Sequence, residues 1–312
     1  MKNLLLSAVL IFSASLYAQQ PKQMRYALQE AAAPENTTPY GNNQAAGHYI
    51  TSGDAKIYYE LYGKGAPVVV LHGGIFGSTF EMYHFIDSLK VNHQVIAIST
   101  RGHGKSEMGN QPHTYQLKAG DAAAVLSAVT KDSATVIGFS DGGYTGYMLA
   151  SLYPAKVKKL VAIGAGERHP GDPANRITVE QAFALDKPFL DQQLSLMPDP
   201  KKLQELFTRV QDEFNTKLVA DEKLFSTIKC PVLVMVGDHD NFVSVEHASR
   251  AAKFLPKGQL SVIPGAGHGA PAPVRTSAGS PPRHACPGRG APSARSCPGP
   301  PACHPAAPST AG

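Results

Sequence analysis

The chain has 312 residues, 43% hydrophobic and 17% charged, a balance that excludes a disordered or collagen-like polymer and leaves ample material for a buried core. Its formal charge of +5 does not belong to the body: Lys2, Arg275, Arg283, Arg289 and Arg295 account for all of it, and residues 19–268 are neutral. A neutral body offers no basic face to nucleic acid or to an anionic membrane.

Met1-Lys2-Asn3, the apolar run Leu4–Leu16 and then Tyr17-Ala18-Gln19 follow the charged, apolar, small-residue order of a secretory signal. The run is too short to span a bilayer comfortably, and no second apolar stretch reaches ~18 residues. A signal peptide over 1–18 is therefore expected, cleaved after Ala18, with a secreted or periplasmic product and no stable membrane insertion. Of four cysteines only Cys230 lies in the body, so disulfides do not hold the core. Residues 19–46, rich in Gln, Ala, Asn, Pro and Thr without a steady period, read as a linker or poorly ordered arm. The Asn36-Thr37-Thr38 sequon within it reads as incidental.

From Gly47 the pattern becomes regular. His48–Ile50 and Lys56–Tyr62 flank Thr51-Ser52-Gly53-Asp54 and read as a hairpin. Pro67–Leu71 is continuously apolar, as suits a strand buried on both faces, and ends in His72-Gly73-Gly74. Phe80–Lys90 reads as a helix with Met82, Phe85, Ile86 and Leu89 on its buried face. His93–Ile98 is the next strand, and Tyr115–Val129 a helix with a small face at Ala122-Ala123-Ala124. Further strands are expected at Ser133–Ile137, Val157–Ile163, Pro231–Val236 and Gln259–Ile263, with a helix at Ser244–Phe254. Between Gly166 and about Ile228 the alternation breaks into helical pieces, clearest at Val179–Leu185, Lys187–Leu196 and Lys201–Asp212. The expected class is α/β: a mostly parallel, doubly wound sheet with a helical cap, about 166–228, inserted before a late strand.

The chemistry centres on Gly138-Phe139-Ser140-Asp141-Gly142, a G-x-S-x-G between a short strand and the helix Tyr144–Ala150. A serine hydroxyl is a weak nucleophile until a sharp turn lifts it clear and a base takes its proton. Glycines on both sides permit that turn, and the helix start directs its positive end at the reacting oxygen. In a parallel sheet the base and its orienting acid must come from the carboxyl ends of strands. Gly237-Asp238-His239-Asp240 follows one such strand, and Pro264-Gly265-Ala266-Gly267-His268 follows the last. Both Asp238 and Asp240 stand at the first position. His103, His239 and His247 read as ordinary polar loop or surface residues. Signatures of zinc peptidases, paired C-x-x-C sites and phosphate loops are absent from the sequence.

The order Ser140, Asp240, His268 resembles that of the α/β-hydrolase superfamily, over about residues 47–268. The resemblance favours Asp240 over Asp238 as the triad acid, with Asp238 at the surface or capping the turn. It implies that His72-Gly73-Gly74 is the oxyanion turn, the backbone N–H groups of Gly74 and Asp141 being its donors. It also marks Arg101-Gly102-His103-Gly104-Lys105-Ser106 as scaffold beside the pocket. The Asp141 carboxylate reads either as functional or as a solvated side chain. Phe139, Met148, Phe183, Phe189 and Met197 either line an acyl pocket or pack the core. The implied activity is carboxylic ester hydrolysis on a small-molecule substrate through an acyl-enzyme, with no cofactor or metal. Alternatives on the same triad are a proline-iminopeptidase-like amidase, a lactonase, a carbon–carbon bond hydrolase or a perhydrolase. A further alternative is a binding homologue or a catalytically crippled chain.

Residues 269–312 depart abruptly from the body. They hold 11 of the 25 prolines and three cysteines, and contain no Leu, Ile, Phe, Tyr, Lys, Asp or Glu. They read as a disordered tail of non-native origin, frameshifted or fused, in place of the helix that follows the last strand in the family. A metal site at Cys286, Cys297, Cys303 and His304 lacks the usual ligand spacing.

Overall fold

The computed structural model describes residues 23–29, 37–172 and 176–268. The expected signal peptide, Asn36 and the tail 269–312 lie outside the described residues. The elements, in chain order, are β1 (Gly47–Ser52), β2 (Ala55–Tyr62), β3 (Ala66–Leu71), α1 (Tyr83–Leu89), β4 (His93–Ile98), α2 (Tyr115–Val129), β5 (Ala134–Phe139) and α3 (Asp141–Leu152). They continue as β6 (Val157–Ile163), α4 (Val179–Leu196), α5 (Leu203–Asp212), α6 (Glu222–Thr227), β7 (Val232–Gly237), α7 (Val245–Phe254) and β8 (Gly258–Ile263).

The eight strands form one sheet in the order β1-β2-β4-β3-β5-β6-β7-β8. β1 and β2 form the expected hairpin, Ser52 pairing with Ala55 across Gly53-Asp54. β2 also lies antiparallel to β4, and every other pairing is parallel. The apolar runs of β3 and β4 sit in the middle of this sheet because helices cover both of its faces. On one face α2, α3, α6 and α7 pack through Tyr115, Ala122, Tyr147, Phe225 and Ala248 against Val69, Val136 and Val234. On the other, Phe80, Met82 and Ile86 cover Val68, Val70, Val95 and Ile137.

The stretch expected as one helix from Phe80 begins instead as a 3-10 turn, Thr79–Met82, before α1 starts at Tyr83. The tighter turn brings Phe80, Met82, Tyr83 and Ile86 all into the core, which a continuous α-helix with 3.6 residues per turn would spread over a wider arc.

The insertion between β6 and β7 is helical. Its two pieces expected at Val179–Leu185 and Lys187–Leu196 are one element, α4, kinked where Asp186 leaves helical geometry (φ −151°, ψ 74°) just before Pro188. Pro188 cannot continue the preceding helix but can begin a new one. Asp186 serves that new start as its cap, accepting from the Phe189 N–H at 3.1 Å. In α5, Leu203, Leu206, Phe207 and Val210 recur at helical spacing and pack with Phe189, Leu190 and Met108 into a separate apolar cluster.

The reading of 19–46 as a linker is corrected for its described parts. Met24 and Tyr40 are buried in the core beside α1, and Gly41 and Asn43 donate backbone N–H groups to the buried Glu60 carboxylate at 2.8 and 2.7 Å. Residues 23–29 also strap onto the cap. Gln192 pairs with both the N–H and C=O of Arg25 at 3.0 and 2.9 Å, while Asp186 Oδ2 accepts from Arg25 and the Leu28 N–H at 3.1 and 2.7 Å. Low hydrophobicity hid this because the segment is held by hydrogen bonds to distant residues, which have no local period. Asp186→Ala removes the strap's carboxylate and the helix cap together and is expected to lower stability by about 2–3 kcal/mol. The check is a urea unfolding midpoint that falls without a change in slope.

Candidate active site

β5 runs straight into the Ser140 turn and out into α3. Ser140 takes φ 50° and ψ −113°, a strained geometry for a residue with a side chain, costing about 1–3 kcal/mol. Its N–H is held by the Ile163 carbonyl of β6 at 2.7 Å, and its carbonyl accepts from Gly143 and Tyr144 at 2.9 and 3.1 Å. The flanking glycines are required by contact. A Cβ at Gly138 would lie 2.2 Å from the Gly142 carbonyl oxygen, and one at Gly142 would lie 2.4 Å from that of Leu71.

The structure brings together the three residues expected as the triad. His268 Nε2 lies 3.0 Å from Ser140 Oγ, and His268 Nδ1 lies 2.8 Å from Asp240 Oδ2. A carboxylate only accepts, so Nδ1 carries the proton and the Ser140 hydroxyl donates to Nε2. The other Asp240 oxygen accepts from the Phe242 and Val243 N–H groups at 2.8 and 2.9 Å. Burial pushes the Asp240 carboxyl up, but the His268 hydrogen bond and charge and these two amides outweigh it and leave its pKa below the ordinary value. Asp238 is exposed, in keeping with its place as a surface residue of the same turn. The acid and histidine turns are laced together, His239 N donating to the Ala266 carbonyl at 2.9 Å and Asp238 N to that of Ile263 at 3.2 Å. The His268 ring is flanked by Phe139 and Phe242 at centroid distances of 5.2 and 4.7 Å.

The His72-Gly73-Gly74 turn lies against the start of α3: a Cβ on Gly74 would sit 3.3 Å from Asp141 Cβ. His72 donates from Nδ1 to the Gly73 carbonyl at 2.7 Å and accepts at Nε2 from the Thr100 N–H at 2.9 Å. Glu81 accepts from the Gly73 N–H, and the Gly74 carbonyl accepts from Gly77. None of these bonds uses the Gly74 N–H. Asp141, as the first residue of α3, has an N–H with no intrahelical partner. The turn and the first residue of α3 are thus in contact immediately after Ser140.

Three expectations about surrounding residues change. The Asp141 carboxylate is not solvated: it is buried against the Lys118 ammonium at 2.7 and 2.8 Å, and Lys118 also lies 2.7 Å from Glu213 of the cap. His103 is not an open loop residue either. It is buried, with its ring 5.0 Å from that of His72, because Arg101 draws the loop inward through Asp121 (2.8 Å twice) and Asp54 (2.7 Å). Met148 packs in the core, while Phe189 and Met197 belong to the cap's own cluster. Phe183 packs beside that cluster, and Phe139 alone of the five abuts the triad. Lys118 and Glu213 were not among the expected site residues. Both occupy positions of an apolar stripe, Lys118 with Tyr115, Ala119 and Ala122, Glu213 with Leu206 and Val210, where a charge implies a buried partner.

The buried groups make stability depend on pH. Burial raises Glu81 to about 8 and Glu213 to about 7 from the ordinary 4.5. It lowers His72 to about 4 and His113 to about 3 from 6.5. The raised carboxyls contribute stability at low pH that is lost as pH climbs through their folded values. The lowered histidines destabilise in acid and cease to do so once pH passes about 6.5. Between pH 6.5 and 8.5 the loss from the glutamates outweighs the smaller gain as the unfolded chain's half-protonated histidines finish titrating, so stability is expected to fall by about 1–2 kcal/mol, roughly 3–5 °C in Tm. Thermal melts across that window check it, and Glu81→Gln should flatten most of the slope.

This is a protein with a mostly parallel sheet and a Ser-His-Asp chain of hydrogen bonds at its strand ends. The family model for the alpha/beta hydrolase fold matches residues 67–196, and the strand order with helices on both faces is that of the α/β-hydrolase fold. A putative carbamate hydrolase RutD of Azorhizobium caulinodans is 34% identical over 123 residues, 39% of this chain and 46% of that protein, so this match spans less than half of the relative. A 2-hydroxy-6-oxononadienedioate/2-hydroxy-6-oxononatrienedioate hydrolase of Burkholderia vietnamiensis is 28% identical over 249 residues, 69% of this chain and 85% of that one. Among solved structures, the esterase RhEst1 from Rhodococcus sp. ECU1013 superposes with a TM-score of 0.55 at 27% identity, covering 72% of this chain and 92% of the esterase.

Proposed function

We propose that the chain is a serine hydrolase of carboxylic esters. The observation that carries this reading is the continuous Ser140–His268–Asp240 hydrogen-bond chain, with 3.0 and 2.8 Å links ending on a buried acid. In the reaction, Ser140 Oγ adds to the ester carbonyl carbon as its proton passes to His268 Nε2. The carbonyl oxygen becomes negative and is held by the Gly74 and Asp141 N–H groups. His268 returns the proton to the departing alcohol, leaving an acyl-serine. Water, deprotonated by the same histidine, then releases the acid. Asp240 holds His268 in the tautomer that accepts at Nε2. The sequence needs no cofactor.

Carbon–carbon bond cleavage is the second reading, favoured by the likeness to the oxononadienedioate hydrolase. That relative's name describes a dianionic substrate. Two wholly buried cations of this chain, Arg101 and Lys118, are each already held by two carboxylates, which weighs toward a neutral ester. Parallel assays on p-nitrophenyl acetate and butyrate, an aryl carbamate, an aminoacyl arylamide, a lactone and a vinylogous diketone acid test the choice. Turnover of the diketone acid alone would overturn the ester reading. We also propose, from the pattern of residues 1–18, that the protein is exported; a mature form beginning at Gln19 in the periplasm or medium is the expected result.

A further inference from the structure

Beneath the nucleophile turn lies a buried ion cluster that the triad chemistry does not use. The Lys118 side chain, on α2, is 1% exposed and contacts both Asp141 oxygens at 2.7 and 2.8 Å and Glu213 Oε2 at 2.7 Å. Asp141 opens α3 immediately after Ser140, and Glu213 opens a π-turn, Glu213–Lys217, that ends the second cap helix. One ammonium thus ties a core helix, the start of the nucleophile's helix and the cap. The Tyr115 ring closes over it, 4.5 Å from centroid to Nζ.

The cluster holds two carboxylates to one ammonium, and Glu213 Oε1 is buried with no hydrogen-bond partner among the described residues. The groups that face Glu213 are Lys118, Asp141 and Tyr115 from the core and Lys217 from its own turn. Burial raises the Glu213 carboxyl, with Lys118 opposing that rise. Burial lowers the Lys118 pKa and raises that of Asp141, but their mutual attraction reverses both, so this pair stays charged. Buried ion pairs add little stability over apolar residues of the same volume. What such a pair supplies is fixed geometry, and the geometry held here is that of the residue whose N–H serves the oxyanion. A π-turn in a helix also stores an irregular, adjustable backbone.

We propose that Lys118 is a positioning residue that locks the start of α3 to the π-turn of the cap, so that the oxyanion donors are in register only while the cap is seated. The proposal rests on reading Ser140 as the nucleophile.

The test is a double-mutant cycle with Lys118→Met and Glu213→Gln on the full chain. It is read with p-nitrophenyl acetate, which is too small to depend on cap contacts, and with an aryl trifluoromethyl ketone, which captures Ser140 as a tetrahedral oxyanion. Glu213→Gln is expected to lower kcat and weaken the ketone by about tenfold each, with KM changed by less than about twofold. Lys118→Met is expected to cost about a hundredfold, and the double variant no more than Lys118→Met alone. A lowered Tm with wild-type kcat and ketone affinity, or losses that multiply in the double variant, would overturn the proposal. If Lys118→Met does not fold, Glu213→Gln and Glu213→Leu decide it by the same kcat and ketone readings. Failure of a fluorophosphonate to label Ser140 in the wild-type chain would instead overturn the nucleophile reading itself.

Discussion

Ser140→Ala is expected to lower kcat toward p-nitrophenyl esters by about a million-fold and to abolish fluorophosphonate labelling. The size follows from the site acting as one unit. His268 sits 3.0 Å from Ser140 Oγ and, among the described residues, has no other side-chain nucleophile hydrogen-bonded to it. What remains after the substitution is substrate binding and the amide donors of Gly74 and Asp141, which alone retain a modest advantage over water. KM should hold within a few-fold, since the hydroxyl gains its large interaction only as the new bond forms. The fold should also survive. The Ser140 N–H bond to Ile163 is made by the backbone, and alanine bears the same positive φ at similar strain. Steady-state kinetics beside a near-UV spectrum separate this outcome from unfolding. Activity that persists in the alanine variant would remove the assignment.

The second large effect is at the acid. Asp240→Asn is expected to cost about ten-thousand-fold in kcat with little loss of stability. The Phe242 and Val243 amides require an acceptor at one side-chain oxygen, so the asparagine must turn its NH2 toward His268. It would then donate where the carboxylate accepted. His268 Nδ1 would become the acceptor, Nε2 would carry the proton, and the Ser140 hydroxyl would lose its base. Asp238→Asn, at the exposed position two residues earlier in the same turn, should leave kcat within about twofold. Measured side by side, the two variants discriminate between the two aspartates of Gly237-Asp238-His239-Asp240. A larger loss from Asp238→Asn than from Asp240→Asn would reverse their roles.

Much of the fold was legible because its signals are local. The three valines and one leucine of β3, β4's apolar run and the α5 stripe are periods that burial on two faces or one imposes on neighbouring residues. The break at Asp186-Lys187-Pro188 was visible as two helical pieces, since Pro188 forbids a continuous hydrogen-bond ladder. Ser140, His268 and the pair Asp238 and Asp240 were readable because each stands in a glycine-bearing turn at a strand end, and strand ends are local features; the family resemblance then favoured Asp240.

Contacts between distant side chains were not legible in the same way. Arg25 meets Asp186 across 161 positions of chain, and the Arg25–Gln192 pairing is as remote, so the arm that straps the cap looked like a linker. His103 is drawn inside by Arg101 and its two carboxylates, and its own neighbours in sequence carry no mark of that. Lys118 passed unnoticed on an apolar stripe, because its partners, Asp141 and Glu213, lie 23 and 95 residues away. Periods and turns set by short-range backbone geometry were enough for the sheet, the cap, the Ser140 turn and the His268 turn, whereas Asp238 and Asp240 stood equal there and the family resemblance chose between them. Only the tertiary structure decided that Asp141 is buried against a lysine and that the cap reaches the nucleophile turn through it, because the pairing of a buried charge depends on which distant residue packing brings beside it.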